Sequence, residues 1–138
     1  MRIGHFSDVH CEIRQPEIRR ALEFIADDAS AEGVDLLVDA GDWWDGASRD
    51  QQRNESTLLQ QRLRAAAPLL AVVGNHGSPN DLKEQFTSIE ARHPVYVAHK
   101  PELVRFRQRV TPQFVPWDAP SAAVPAYTLL ILCLPWLR

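Results

Sequence analysis

Cysteine is all but missing from this chain. Cys11 and Cys133 are its 2 thiols, too few for a disulfide framework, so a reducing, cytoplasmic setting is the default. Positive charge is not in excess either, because 15 basic side chains face 18 acids for a net of -3. That excludes a general electrostatic pull toward nucleic acid or an anionic membrane, although a local basic face or bound cations reverse the sign near a site. The longest apolar run, Tyr127 to Leu134, is too short to span a bilayer and reads as a buried strand. The opening Met1-Arg2-Ile3-Gly4-His5 lacks the apolar segment of a signal peptide. Internal repeats and low-complexity tracts are missing as well. What remains is 138 residues, 45% hydrophobic and 24% charged, the balance of one soluble globular domain spanning residues 1–138.

Along the chain, apolar runs alternate with amphipathic stretches. Arg2 to Phe6 is a short strand, and Ser7 to His10 leave its C-terminal end. Pro16 suits the first turn of a helix. Ile18, Ala21, Leu22, Ile25 and Ala29 then recur at helical steps, and Gly33 marks the stop. Asp35 to Ala40 is apolar enough for a strand buried on both faces, so the β-α-β unit predicts a parallel pair with a right-handed crossover. A second helix is expected from about Gln51 to Ala67, with Leu58, Leu59, Leu63 and Ala66 on one side. Leu69 to Val73 is the third strand. Pro79 and Asn80 open a third helix through about Ala91, with Leu82, Phe86 and Ile89 inward. Val95–Ala98 and Leu103–Phe106 read as short strands, and Leu129–Leu132 as a later buried one. Between them, residues 107–125 hold Pro112, Pro116, Pro120 and Pro125. Such density rejects a helix and a central strand alike, which predicts a long surface loop.

Three of these strands end in metal-ligand residue types. Asp8 and His10 stand two apart at the end of an extended segment, which puts a carboxylate and an imidazole on one face. Asp42 lies beyond the neighbouring strand, and its two oxygens can bridge cations. Asn75 offers a neutral carbonyl oxygen, and His76 beside it an imidazole. Mixed Asp, His and Asn donors without Cys suit Mn²⁺, Fe²⁺ or Zn²⁺ better than a thiolate-rich structural zinc site. Open α/β sheets gather ligands at the carboxyl ends of their strands, where all three clusters fall. Each fragment alone is common by chance; in this order, with helices between, they are specific.

Asp8-Val9-His10, Gly41-Asp42 and Gly74-Asn75-His76 resemble the first three motifs of the calcineurin-like metallophosphoesterases. The stretches Ile3 to His10 and Gly41 to Asp45 look most like the SbcD-type DNA repair exonuclease branch, as do Val95 to Phe106 and Ile131 to Trp136. The resemblance implies a layered α/β fold, its central parallel or mixed sheet flanked by helices and cut short before a second sheet is complete. It implies two divalent metal ions, with manganese first and iron, zinc or magnesium as alternatives. Asp8 and His10 would hold the first ion, Asp42 would bridge, and Asn75 would bind the second. His76 would be catalytic, a general acid or charge stabiliser beside the phosphate. DNA is the implied substrate and an ATPase subunit an implied partner; substrate-binding residues are not identified. A phosphatase or a cyclic-nucleotide phosphodiesterase is the alternative within enzymes. A truncated, non-catalytic interaction domain is the alternative outside them.

Two departures accompany the resemblance. Gly77 stands where the family usually has an acid after the Asn-His pair. The family's downstream His and Gly-His-X-His motifs have no counterpart, since His93 and His99 come too early. Either the chain is the N-terminal part of a longer enzyme or it is a short form. In that case strand 129–132 has an open edge and an apolar face, which predicts self-association or a homodimer.

The neighbours of these motifs have plainer readings. His5 is expected to support the site by packing or hydrogen bonding, since it alternates away from the face of Asp8. Asp45 is expected to orient the site rather than ligate. Trp43 and Trp44 read as packing, with base stacking as the alternative. Asp39 reads as a paired structural acid. Arg19, Arg20, Arg49, Arg53, Arg62 and Arg64 read as solvated helix faces, with phosphate contact as the alternative. Cys11 reads as a small buried residue rather than a thiolate ligand.

Overall fold

The computed structural model describes residues 1–11, 16–44, 50–76, 79–107, 112–116 and 128–133. Strands β1 (Ile3–Phe6), β2 (Leu36–Asp39), β3 (Leu69–Val72) and β4 (Val95–Ala98) form one sheet in the order β1-β2-β3-β4, and every pairing is parallel. Helices α1 (Pro16–Ala31), α2 (Asp50–Ala66) and α3 (Pro79–Ser88) make the three crossovers. Because each right-handed crossover steps the same way along the sheet, all three helices fall on one face.

The strand sequences match this arrangement residue by residue. Side chains alternate across a strand, so Leu37, Leu69, Ala71 and Val97 pack with Leu22, Leu63 and Phe86 of the helices. Leu36, Leu70 and Ala98 point the other way, into a second core with Val104 and Phe106. Both faces are apolar, hence the unbroken apolar runs of the sequence. The second core belongs to a second, antiparallel sheet. Strands β5 (Glu102–Arg107), β6 (Gln113–Pro116) and β7 (Thr128–Cys133) line up as β6-β5-β7. The chain is therefore an α/β protein with helices on one side of a parallel sheet and a second sheet on the other.

Several expectations need adjustment. The stretch 107–125 is not loop throughout, because β6 lies within it. Among the described residues β6 pairs only with β5, and such an edge position tolerates Pro116; residues 117–125 lie outside the described residues. The second sheet has three strands, more than the sequence pattern alone indicated. Helix α3 stops at Ser88, three residues short of the expected end. Leu58 is 61% exposed while Leu59 and Leu63 are buried, so the inward stripe of α2 runs through 59 and 63 instead. Ala21 of α1 is likewise exposed.

The helix layer is also tied together by charged side chains. Arg62 of α2 donates to both Asp27 oxygens at 3.0 Å and lies 3.9 Å from Glu23 of α1. Arg64 is not on a solvated face. It is 5% exposed, and its guanidinium donates to the carbonyls of Phe86, Ile89 and His93 at 3.0–3.1 Å. A cation there satisfies carbonyls left over by the end of α3 and suits the negative end of that helix. No helix among the described residues is long and apolar enough to cross a membrane.

Candidate metal centre

Parallel strands deliver their C-terminal ends to one edge, so the loops after β1, β2 and β3 meet there. Pairing between the first two continues past the strands. The Asp8 N–H donates to the Gly41 carbonyl at 3.0 Å, His10 to Asp42 at 2.9 Å, and Cys11 to Trp43 at 2.7 Å. Along this extension Asp8, His10 and Asp42 all have positive φ, at 54°, 45° and 59°. Among the described residues they are the only non-glycine residues in that region. Left-handed backbone costs an L-residue about 1–3 kcal/mol, a strain that clusters at functional sites. The extended geometry expected for Asp8 and His10 is thus replaced by a left-handed one, and it still brings their side chains together.

Ligand atoms of Asp8, His10 and Asp42 all lie within 4.8 Å of one another. His10 Nε2 is 4.0 Å from Asp8 Oδ1, with Asp8 largely exposed and His10 partly so. The third loop closes over Asp42. The His76 N–H donates to Asp42 Oδ1 at 2.9 Å, and the His76 ring meets the His10 ring edge-on, centroids 4.9 Å apart. Asn75 is half-buried in the same turn. This crossing needs two glycines. A Cβ on Gly74 would sit 2.0 Å from Asp42 Oδ1, and one on Gly41, where φ is 121°, would sit 2.9 Å from Gly74 Cα.

Asp39, at the end of β2, is buried beneath this cluster. Its Oδ1 accepts the Gly41 N–H at 3.0 Å, while Oδ2 is buried with no hydrogen-bond partner among the described residues. Burial pushes its pKa up to about 8, against the Gly41 hydrogen bond and with help from repulsion by Asp42 and Asp8. Asp39, read from the sequence as a paired structural acid, is buried and finds its partner in the backbone N–H of Gly41. The signal for its true partner was present, because an Asp two residues before a Gly in a turn commonly bonds the backbone ahead of it. Ser7 was also passed over; its hydroxyl donates to Asp8 Oδ2.

The remaining sequence readings sort around this centre. His5 is exposed on β1 rather than packed. Its register partner Val38 faces the second core, so His5 points to that side of the sheet, beside the 48% exposed Ile3. Asp45 lies outside the described residues. Trp43 and Trp44 are 1% and 4% exposed, which leaves no face for a base and makes both of them packing. The Trp43 indole N–H donates to Ser56 Oγ at 2.7 Å, and its ring meets Phe86 edge-on. Cys11 is buried, as expected for a small core residue. A hollow of about 250 Å³ between α1 and α2 is lined by Arg19, Glu23, Leu58, Leu59 and Arg62. Its charged groups pair with one another, and it lies in the helix layer rather than at the strand ends.

Two carboxylates and an imidazole on strained backbone, over a third acid that burial discourages from ionising, fit a divalent cation. The charge of the cation offsets their mutual repulsion, and the oxygen and nitrogen donors suit Mn²⁺, Fe²⁺ or Zn²⁺. Comparison with known families carries the same meaning. A family model described as calcineurin-like phosphoesterase matches residues 1–129. No curated protein matches the chain. With the matched region covering nearly all of the sequence and holding every residue of the candidate centre, the chain belongs to the calcineurin-like phosphoesterase family, hydrolases that use divalent metals to cleave phosphoester bonds.

Proposed function

We propose that this chain hydrolyses phosphodiester bonds in DNA, as a nuclease of the SbcD type. The observation that carries the reading is the meeting of Asp8, His10 and Asp42 at one point with the His76 ring against His10. Asp8 and His10 would hold one divalent cation, Asp42 would bridge to a second, and Asn75 would offer its carbonyl oxygen to that second ion. When bound, the cations supply Lewis-acid polarisation of the phosphoryl group and a water activated at neutral pH. The chain's own residues do the rest. Loop contacts fix the carboxylates before substrate arrives, and fixed charge placed in advance is what phosphoryl transfer needs most. His76, tethered through its own N–H to Asp42, stands beside the phosphate and donates a proton to the departing oxygen or stabilises its charge.

DNA, and manganese as the first choice of metal, are supported by the resemblance of Ile3–His10 and Gly41–Asp45 to the nuclease branch; the mixed donors suit Mn²⁺, Fe²⁺ or Zn²⁺ alike. The same resemblance supports an ATPase subunit as partner, and a chain with only 2 cysteines suits a reducing cytoplasm.

The test is hydrolysis by the purified chain with Mn²⁺, offered linear duplex DNA, bis-para-nitrophenyl phosphate and para-nitrophenyl phosphate. The reading predicts cleavage of DNA and of the diester, lost in Asp42→Asn and in His76→Ala. Turnover of the monoester alone would make the chain a phosphatase. Tight Mn²⁺ binding without turnover of any of the three would make it a non-catalytic module.

A further inference from the structure

The turn that carries Asp42 is closed by a residue outside the ligand set. Asp39, the last residue of β2, is fully buried, and its Oδ1 holds the Gly41 N–H at 3.0 Å. Immediately after this bond the chain turns left-handed, with φ at 121° in Gly41 and 59° in Asp42. Two more bonds hang from the same turn. The Gly41 carbonyl receives the Asp8 N–H, and the Asp42 carbonyl receives that of His10. The backbones of all three candidate ligands are thus referenced to one hydrogen bond made by Asp39.

An acid is a costly choice here. Its register partners, Phe6 and Ala71, are apolar, and its second oxygen is buried with no hydrogen-bond partner among the described residues. A valine at this strand end would avoid the desolvation penalty. A polar group kept where an apolar one would stabilise the fold more is the pattern expected when a site is maintained against stability.

We propose that Asp39 is a positioning residue of the metal centre. By holding the Gly41 N–H it fixes the left-handed path through Gly41 and Asp42, and so aims Asp8, His10 and Asp42 at a single point. This rests on the metal-binding reading given above. Asp39 acts through the turn and does not touch the cation or the substrate.

The experiment compares Asp39→Val, Asp39→Ala and Asp39→Asn with the unaltered chain in two measurements, thermal unfolding in a chelator and calorimetric titration with Mn²⁺ alone. Asn keeps an acceptor oxygen for Gly41, whereas Val and Ala remove it. The expected result has opposite signs. The Val variant melts at or above the parent temperature without metal and binds Mn²⁺ roughly 10–100-fold more weakly, the usual cost of losing a group that orients ligands. The Ala variant shows the same loss of affinity, and the Asn variant binds within about threefold of the parent, a difference of at most about 0.65 kcal/mol. Equal Mn²⁺ affinity in the parent, Val and Ala chains overturns the proposal. So does unfolding of both Val and Ala variants, which assigns Asp39 to the fold alone. A loss in Asn as large as in Val overturns it too, because charge rather than the acceptor would then matter. A parent chain that takes up no Mn²⁺ overturns the metal-binding reading itself, and this proposal with it.

Discussion

The backbone N–H of His76 is hydrogen-bonded to Asp42 Oδ1 at 2.9 Å, so the third loop is fastened to the central carboxylate of the second. The bond uses one oxygen of Asp42 and leaves the other for a cation. It also explains why the chain between Val73 and Asn75 is glycine. Gly74 passes so near Asp42 that a methyl group has no room.

Gly74→Ala tests that crossing. Its Cβ would fall 2.0 Å from Asp42 Oδ1 and 2.4 Å from Asp42 N, and backbone on both sides cannot yield cheaply. We expect a loss of about 1–3 kcal/mol in chemical unfolding, the usual cost of overpacking. Metal affinity should fall as well, because the clash lands on Asp42 itself. A variant as stable as the parent would mean that the two loops are not in contact.

Arg64 gives a prediction confined to the fold. Arg64→Met keeps much of the side-chain volume but orphans acceptors on Phe86, Ile89 and His93. Stability should drop by at least ~1–3 kcal/mol, the cost of one buried acceptor left unpaired. Arg64→Lys should recover only part of it, since an ammonium lacks the planar fork that reaches several carbonyls. Amide exchange in residues 82–88 should quicken in both variants.

Trp43 separates packing from base recognition. Trp43→Phe removes the indole N–H that Ser56 accepts and leaves a void against Phe86. The expected outcome is a loss of roughly 1–3 kcal/mol in stability and unchanged retention of single-stranded DNA. Weakened DNA binding at unchanged stability would restore the stacking role.

The burial of Asp39 makes stability depend on pH in the metal-free chain. Unfolded, its carboxyl ionises near 3.8; folded, it keeps its proton up to about 8. Between those values the folded chain holds a proton that the unfolded chain has released, so this group's contribution falls as pH rises. It is fully present below 3.8 and lost above about 8. The slope reaches at most about 1.4 kcal/mol per pH unit. Urea unfolding in a chelator across this range should show the decline, and Asp39→Asn should flatten it. An equally steep decline in the Asn variant would assign the pH dependence to other groups.

Most of the fold was legible because its signals are local. Continuous apolar runs gave β2 and β3 buried on two faces, and helical periodicity gave α1 to α3 between them. The one-sided helix layer then follows from handedness. Other features depended on partners far along the chain. Arg64 sits in an amphipathic helix among Arg and Gln neighbours, and nothing nearby marks it as the cap of a different helix. Leu58 and Leu59 are adjacent, so a shift of one position decides which is buried. Strand β6 was hidden by proline, which an edge position permits.

The candidate site was legible by residue type and order. Its means of convergence was not. Aspartate and histidine adopt positive φ more readily than most side chains but signal it only weakly in sequence, whereas a glycine signals it strongly. Asp39 and Ser7 act through neighbours one or two residues away, and only the folded turn shows what they hold.

If Asp8, His10 and Asp42 together form a metal centre, Asp42→Asn must weaken it. Asparagine keeps an oxygen for the His76 N–H while removing the charge. Calorimetric titration with Mn²⁺ should show binding to the parent chain and affinity lower by more than ~10-fold in the variant, with thermal unfolding still cooperative. Equal binding by the two chains would mean that Asp42 holds no cation.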